Sequence, residues 1–120
     1  FAGTGAFGLE ALSRGAAHAT FVEDDRAALA ALTANIAACE AHDRATILPI
    51  DALAMPPGSP ADLVFLDPHY RQDLISRAIA RLRAVQRIAP HTLLIAEIAK
   101  GDTIEIEIEG IGVLRNTVDG

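Results

Sequence analysis

The sequence begins with FAGTGAFG, residues 1–8, and this stretch decides the fold. Its glycines at positions 3, 5 and 8 fit the spacing G-x-G-x-x-G. The first two permit a tight turn with close backbone approach, and the third lets a helix pack on a strand. Loops of this kind also serve purely as turns, but Glu23 follows Gly3 by twenty residues, at the tip of an apolar segment. A carboxylate there can accept hydrogen bonds from both hydroxyls of a ribose, so the pattern favours a nucleotide-like ligand.

Strands and helices alternate along the rest of the chain. Hydrophobic spacing and capping residues predict helices over residues 6–14, 26–40 and 73–88. Short apolar runs predict strands over 19–23, 45–50, 62–66 and 92–97. Isoleucine then alternates with glutamate over 104–109, which is typical of a strand with one exposed face and an antiparallel neighbour, and a return strand begins near Val113. This order predicts a doubly wound α/β sheet, mostly parallel, with an antiparallel end.

The composition is that of one globular domain of 120 residues, 51% hydrophobic and 22% charged. No apolar run reaches the roughly 18 residues of a membrane span, so we expect a cytoplasmic protein that contacts no membrane. The single Cys39 excludes an internal disulfide, and its alanine-rich surroundings predict a small packing residue. His18, His42 and His91 have no metal-ligand spacing with one another or with Cys39, so we expect no metal site.

The glycine loop needs a strand in front of it, and the sequence begins directly on the loop at Phe1. We therefore interpret residues 1–120 as a single domain truncated at both ends, with the first strand of the sheet missing. The net charge of −6 argues mildly against a nucleic-acid-binding domain that is complete in itself. A basic segment elsewhere would reverse that balance, so the charge leaves the partner open.

A second site follows the apolar run at residues 62–66, where the sequence reads Asp67-Pro68-His69-Tyr70. An amine on an aromatic ring is a poor nucleophile because its lone pair is delocalised. The Asp67 carboxylate and the Pro68 carbonyl can accept hydrogen bonds from its two protons while Tyr70 stacks on the base, so catalysis comes from orientation and electrostatics. The alternative is a strand ending in an ordinary Asp-Pro turn, with Tyr70 covering the core. His69 is more typical of a surface hydrogen-bonding group than of a general base.

For the other charged residues the sequence leaves two possible roles open. Asp51 follows the predicted strand 45–50, at the same expected sheet edge as the other two sites. Its carboxylate either accepts a hydrogen bond from an exocyclic amine such as adenine N6 or starts a solvated turn. Five arginines on or near the last predicted helix form either a solvated face or a phosphate contact beside the acceptor pocket. They are Arg71, Arg77, Arg81, Arg83 and Arg87.

Three segments carry a resemblance to a known family, namely FAGTGAFGLEALSRGA at residues 1–16, FVEDDRAA at 21–28 and DLVFLDPHY at 62–70. In them the chain resembles S-adenosylmethionine-dependent methyltransferases, and more closely the RsmD family, which methylates the N2 amine of a guanine in small-subunit ribosomal RNA. The resemblance runs in order through nearly the whole chain. It implies a Rossmann-like, seven-strand class I methyltransferase sheet with S-adenosylmethionine as cofactor. The family has proline where this chain has His69, so this loop lacks one backbone constraint.

The resemblance implies a monomeric enzyme that transfers a methyl group to a guanine N2 of 16S rRNA, on free RNA or on a small ribosomal subunit during assembly. The predicted catalytic residues are Asp67, Pro68 and Tyr70. The predicted cofactor-binding residues are Phe1, Gly3, Gly5, Glu23, Asp51 and Asp67. The predicted substrate-binding residues are His69, Tyr70 and Arg71.

The residues leave alternatives to this function. One is a methyltransferase acting on another rRNA position or on a DNA base amine, because residues 67–70 read an amine and not a particular base. Another is a dinucleotide-dependent oxidoreductase, which shares the glycine loop and Glu23 but gives no role to residues 67–70. A third is a binding module that keeps the fold without turnover.

Overall fold

The computed structural model of the protein describes residues 1–67, 73–96, 103–108 and 112–117, the last two ranges as backbone. The chain comprises two compact units, Phe1–Ala52 and Leu53–Gly120, which are described one at a time. Within the described ranges, none of the helices has both the length and the hydrophobicity needed to cross a membrane.

The first unit combines α-helices with a pair of parallel strands. Its helices are α1 (Ala6–Ser13) and α2 (Arg26–Ala38), and its strands are β1 (Ala19–Val22) and β2 (Ala45–Leu48). The two strands pair in parallel and in register from end to end. Short 3-10 helices lie at His42–Arg44, before β2, and at Ala52–Ala54, across the boundary between the units.

Side chains from α1, β1, α2 and the turn after α2 form the core of the first unit. The buried members are Leu12, Phe21, Leu32, Ile36 and Ala41. α2 begins after Asp25, whose carboxylate accepts a 2.8 Å hydrogen bond from the Ala28 N–H and so caps the helix. At the other end Cys39 is the C-cap residue and is exposed, so the predicted packing role of Cys39 is wrong.

The second unit also joins parallel strands through a helix. β3 (Leu63–Leu66) pairs in parallel with β4 (Leu93–Ala96), and α3 (Asp73–Ala84) lies between them in sequence. β5 (Thr103–Ile108) pairs antiparallel with β6 (Gly112–Thr117). The parallel pairs and their helices confirm the predicted α/β class, and the β5–β6 pair matches the predicted antiparallel end.

Burial in the second unit follows the predicted helix pattern better than the predicted strand pattern. Ile75, Ala78 and Ile79 of α3 are buried, at the spacing of an amphipathic helix. The sequence predicts that β3 is covered on both faces, yet Leu63 is 39% exposed and Leu93, its partner in register, is 58% exposed. Both are the first residues of their strands, so the prediction fails at that end of the pair.

The helices α1, α2 and α3 all end in a Schellman motif, in which one residue takes a left-handed conformation. In α2 the Ala41 N–H donates to the Ile36 carbonyl at 3.0 Å, and Glu40 has a φ of 53°. Gln86, with a φ of 62°, takes the corresponding position after α3, and Gly15, with a φ of 110°, takes it after α1. The predicted helices 26–40 and 73–88 extend beyond the observed ends of α2 and α3, because no glycine marks either end in the sequence.

Two arginines hold the proline-rich loop that precedes β3. Arg81 donates from Nε to the Met55 carbonyl at 2.9 Å. Arg87 donates from Nε to the Pro56 carbonyl at 3.0 Å and from Nη2 to the Pro57 carbonyl at 3.3 Å. Carbonyls in a proline-rich stretch have few N–H partners nearby, because proline has none. These two guanidiniums therefore serve as braces, and neither of the two roles predicted for the arginines describes them.

Candidate functional site

The glycine loop closes into a tight turn. The Gly5 N–H donates to the Ala2 carbonyl at 3.0 Å and so joins the first and fourth residues of a β-turn. Gly3 has a φ of 57°, and Gly5 has a φ of 83° and is the N-cap residue of α1. Positive φ is costly for a residue with a Cβ, so glycine at both positions selects this turn. The predicted arrangement of loop and helix is confirmed.

Glu23 is tied to this loop through backbone N–H groups. Gly3 donates to its Oε1 at 2.7 Å, and Asp24 and Asp25 each donate to its Oε2 at 3.1 Å. Hydrogen bonds to an ionised acceptor are strong and directional, so they fix the orientation of this half-buried carboxylate. A carboxylate offers about four acceptor positions, and the three bonds leave capacity for a ligand hydroxyl.

The loop and Glu23 lie at the carboxyl end of the β1–β2 pair. The Phe1 nitrogen donates to the Val22 carbonyl at 2.7 Å, and the Glu23 N–H donates to the Leu48 carbonyl at 3.2 Å. Asp51 is exposed in the segment that follows β2, at the same end of the pair. The structure therefore brings the predicted cofactor-binding residues of the first unit to one edge, where ligands of α/β sheets bind.

The glycines of the loop differ in their surroundings. A Cβ on Gly5 would clash with Leu32, and one on Gly8 would clash with the ring of Phe21. Gly8 thus lets α1 pack on β1, as the spacing predicts. By contrast, apart from its two chain neighbours, no described residue has an atom within 4 Å of a Cβ built on Gly3. A ligand can therefore approach the backbone at Gly3, whereas Gly5 faces the interior.

Asn35 is a residue at this site that the sequence reasoning missed. Its Nδ2 donates to the Thr4 carbonyl, in the middle of the glycine loop, at 2.9 Å. The two residues are 31 positions apart in sequence, and Asn35 is half-buried on α2. In the sequence, Asn35 stands out only as a weak helix former within an alanine-rich helix, and this does not indicate a contact with the glycine loop.

The predicted acceptor site falls in the second unit and is described only in part. Asp67 follows β3 directly and is half-buried. Pro68, His69, Tyr70 and Arg71 lie outside the described residues, so the roles predicted for them stay predictions.

The first-unit site suits a nucleoside better than a metal ion. A fixed carboxylate beside open space at a glycine backbone can accept from a ribose hydroxyl. Among the described residues, no group of three or more His, Cys, Asp and Glu side chains is placed to hold a metal ion. The described residues of this site therefore fit the ribose of a nucleoside-containing cofactor.

Comparison with known proteins gives the relatives of this chain. The family model described as Conserved hypothetical protein 95 matches residues 1–120. The ribosomal RNA small subunit methyltransferase D of Escherichia coli K12 is 39% identical over 99 residues, which cover 81% of this chain and 50% of that protein. The protein of the same name from Haemophilus influenzae is 34% identical over 105 residues, covering 83% and 54%. The chain thus spans about half the length of these curated relatives.

Solved structures agree with this relationship. A putative methyltransferase from Escherichia coli superposes with a TM-score of 0.72 at 37% identity, covering 91% of this chain and 57% of that one. A putative methylase from Haemophilus influenzae superposes with a TM-score of 0.72 at 29% identity, covering 96% and 80%. The resemblance seen in residues 1–16, 21–28 and 62–70 is confirmed, and the chain belongs to the family described as Conserved hypothetical protein 95, the RsmD family of α/β methyltransferases.

Proposed function

We propose that this protein transfers a methyl group from S-adenosylmethionine to the exocyclic N2 amine of a guanine in 16S rRNA. The observation that carries the proposal is the 2.7 Å hydrogen bond from the Gly3 N–H to Glu23 Oε1. It makes the glycine loop and the strand-end carboxylate one fixed unit, which is what binding of an adenosyl ribose needs. Relatives named ribosomal RNA small subunit methyltransferase D support the RNA substrate.

Each cofactor-binding residue contacts a different part of the ligand. Glu23 accepts a hydrogen bond from a ribose hydroxyl, and the open backbone at Gly3 lets the ligand approach. Asp51, at the end of the neighbouring strand, accepts from the adenine amine. The cofactor itself supplies an electrophilic methyl group on a sulfonium centre, so these residues have only to bind and orient it.

The acceptor-binding residues are proposed from the sequence motif at 67–71. Asp67 and the Pro68 carbonyl accept hydrogen bonds from the two protons of the guanine amine, which favours density on nitrogen as it attacks. Tyr70 stacks on the base, and His69 and Arg71 contact the RNA beside it. The half-buried position of Asp67 directly after β3 supports a carboxylate whose orientation is restricted.

The wider features implied by the family belong to the same proposal. The chain forms part of a seven-strand class I methyltransferase sheet, in a single domain that acts as a cytoplasmic monomer. Its partner is ribosomal RNA, free or in a small subunit during assembly. The parallel pairs β1–β2 and β3–β4 and the antiparallel pair β5–β6 support such a sheet.

Isothermal titration calorimetry of the full-length protein with S-adenosylhomocysteine and with NAD tests the cofactor assignment. We expect S-adenosylhomocysteine to bind with one site per chain and NAD to show no heat of binding at the same concentrations. Binding of NAD in preference would instead support the dinucleotide-dependent oxidoreductase. Binding of neither ligand to folded protein would contradict the cofactor site altogether.

A further inference from the structure

We propose that Asn35 is a positioning residue for the cofactor site: its side-chain amide holds the Thr4–Gly5 peptide of the glycine loop in the orientation that receives the cofactor. The inference rests on the proposed adenosyl-binding function of that loop. It goes beyond that function because Asn35 is on α2, outside the G-x-G-x-x-G segment and outside the strand-end acids.

The Thr4–Gly5 peptide is held at both of its ends. The Gly5 N–H donates to the Ala2 carbonyl at 3.0 Å, and the Thr4 carbonyl accepts from Asn35 Nδ2 at 2.9 Å. Because a peptide unit is planar, fixing its N–H and its C=O fixes the orientation of the whole plane. Without the second bond, the plane can rotate about the torsions of Thr4 and Gly5.

The backbone preference of glycine does not by itself fix this peptide. Glycine populates positive and negative φ about equally, so Gly5 permits the φ of 83° without requiring it, and hydrogen bonds to the loop decide which conformation is populated. Thr4 is exposed, and its side chain is not packed in a core. The Asn35 amide therefore supplies a restraint that the loop sequence lacks.

The same face of α2 also supports the neighbouring loop residue. Leu32, one turn before Asn35, is fully buried and lies where a Cβ on Gly5 would be. Gly3 is held by its hydrogen bond to Glu23. Each of the three consecutive loop residues 3 to 5 therefore has a contact outside the loop. Gly3 is bound by Glu23, which follows β1, and the next two residues are contacted by α2.

A role of Asn35 in fold stability alone and a role in positioning the loop lead to different expected effects of its substitution. If Asn35 only stabilised the fold, its loss would lower the unfolding temperature and leave the affinity of the folded protein unchanged. If it selects the receptive loop conformation, its loss lowers the fraction of competent protein and raises the apparent Kd by the same factor.

The test compares Asn35→Ala and Asn35→Asp with Thr33→Ala in the full-length protein, using calorimetry with S-adenosylhomocysteine and thermal unfolding. Thr33 is the matched control, because its hydroxyl donates within α2 to the Leu29 carbonyl at 2.8 Å and not to the loop. We expect Asn35→Ala to raise Kd about 2- to 12-fold, the range for one neutral hydrogen bond. Asn35→Asp should raise it at least as much, because an acceptor then faces the Thr4 carbonyl. Alanine is the better helix former, so the unfolding midpoint of Asn35→Ala should change little.

An unchanged Kd in Asn35→Ala overturns the proposal, as does an equal rise in Thr33→Ala. If Asn35→Ala does not fold, the isosteric Asn35→Asp decides by the same comparison. If the wild-type protein binds no S-adenosylhomocysteine, the proposed function fails, and hydrogen exchange of the Gly5 amide in the ligand-free protein decides the positioning claim. Faster exchange in Asn35→Ala than in Thr33→Ala supports it, and equal exchange overturns it.

Discussion

The Gly3 N–H and the Glu23 carboxylate, twenty residues apart in sequence, are joined by a 2.7 Å hydrogen bond at the end of β1. This bond couples two features that the sequence shows separately, a glycine turn and an acid at a strand tip. The same carboxylate accepts from the Asp24 and Asp25 N–H groups, so it is oriented without any ligand. The candidate cofactor site is therefore preorganised, which lowers the ordering cost of binding.

Glu23→Ala should weaken binding of S-adenosylhomocysteine by about 1.5–3 kcal/mol, the range for hydrogen bonds to a charged group. The loss combines the missing ribose acceptor with the released Gly3 N–H. Calorimetry on folded protein measures it. Asp24→Ala is the control, since Asp24 is exposed and contributes only its backbone N–H to Glu23. Equal affinity of Glu23→Ala and wild type would show that the ribose lies elsewhere.

Glu40→Gly should raise the free energy of unfolding by about 0.5–1 kcal/mol. Glu40 has a φ of 53° at the end of α2, and relief of that left-handed strain outweighs the extra chain entropy of glycine. Gly15→Ala is the reverse change at the equivalent position after α1, where no described residue beyond the two chain neighbours comes within 4 Å of the new Cβ. It should destabilise the protein. Chemical denaturation measures both, and changes of the same sign would contradict the backbone explanation.

Gly8→Ala should lower the free energy of unfolding by about 1–3 kcal/mol, the usual cost of an extra methyl in a packed core. A Cβ there meets the ring of Phe21, which is only 3% exposed and cannot move aside easily. Glu10→Ala, on the exposed side of α1, should change stability by less than about 0.5 kcal/mol. A neutral or stabilising Gly8→Ala would mean that α1 does not pack on β1 this closely.

Arg87→Ala should lower the free energy of unfolding by about 1–2 kcal/mol and speed proteolysis of the loop at residues 56–60. It removes the donors to the Pro56 and Pro57 carbonyls. Arg77→Ala, an exposed arginine of α3, is the control and should leave both measurements near wild type. If the two variants behave alike, the loop does not depend on the guanidinium brace.

Local patterns predicted most of the fold. The G-x-G-x-x-G spacing predicts a turn that only glycine takes easily, and the parallel pair β1–β2 follows from two short apolar runs with a helix between them. The helix ends were harder, because Glu40 and Gln86 take the left-handed position without the glycine that would have marked it. The exposure of Leu63 and Leu93 was also missed, since an apolar run does not say which end of a strand is covered.

The candidate site was predictable only where its residues follow a spacing rule. Glu23 and Asp51 stand at strand ends and could be named from the sequence. Asn35 could not, because its bond to the Thr4 carbonyl depends on how α2 packs over the loop. The braces from Arg81 and Arg87 are likewise tertiary contacts, and composition alone had suggested a solvated or phosphate-binding face.

The central claim, methyl transfer to a guanine amine, is tested most directly by one assay. Small ribosomal subunits or 16S rRNA from cells lacking this enzyme are incubated with methyl-labelled S-adenosylmethionine and the full-length protein, and the modified nucleoside is identified after digestion. We predict N2-methylguanosine, with Asp67→Ala reducing the rate about 100-fold or more while its affinity for S-adenosylhomocysteine is nearly unchanged. Label in a different base, or equal losses of rate and cofactor affinity in Asp67→Ala, would contradict the account.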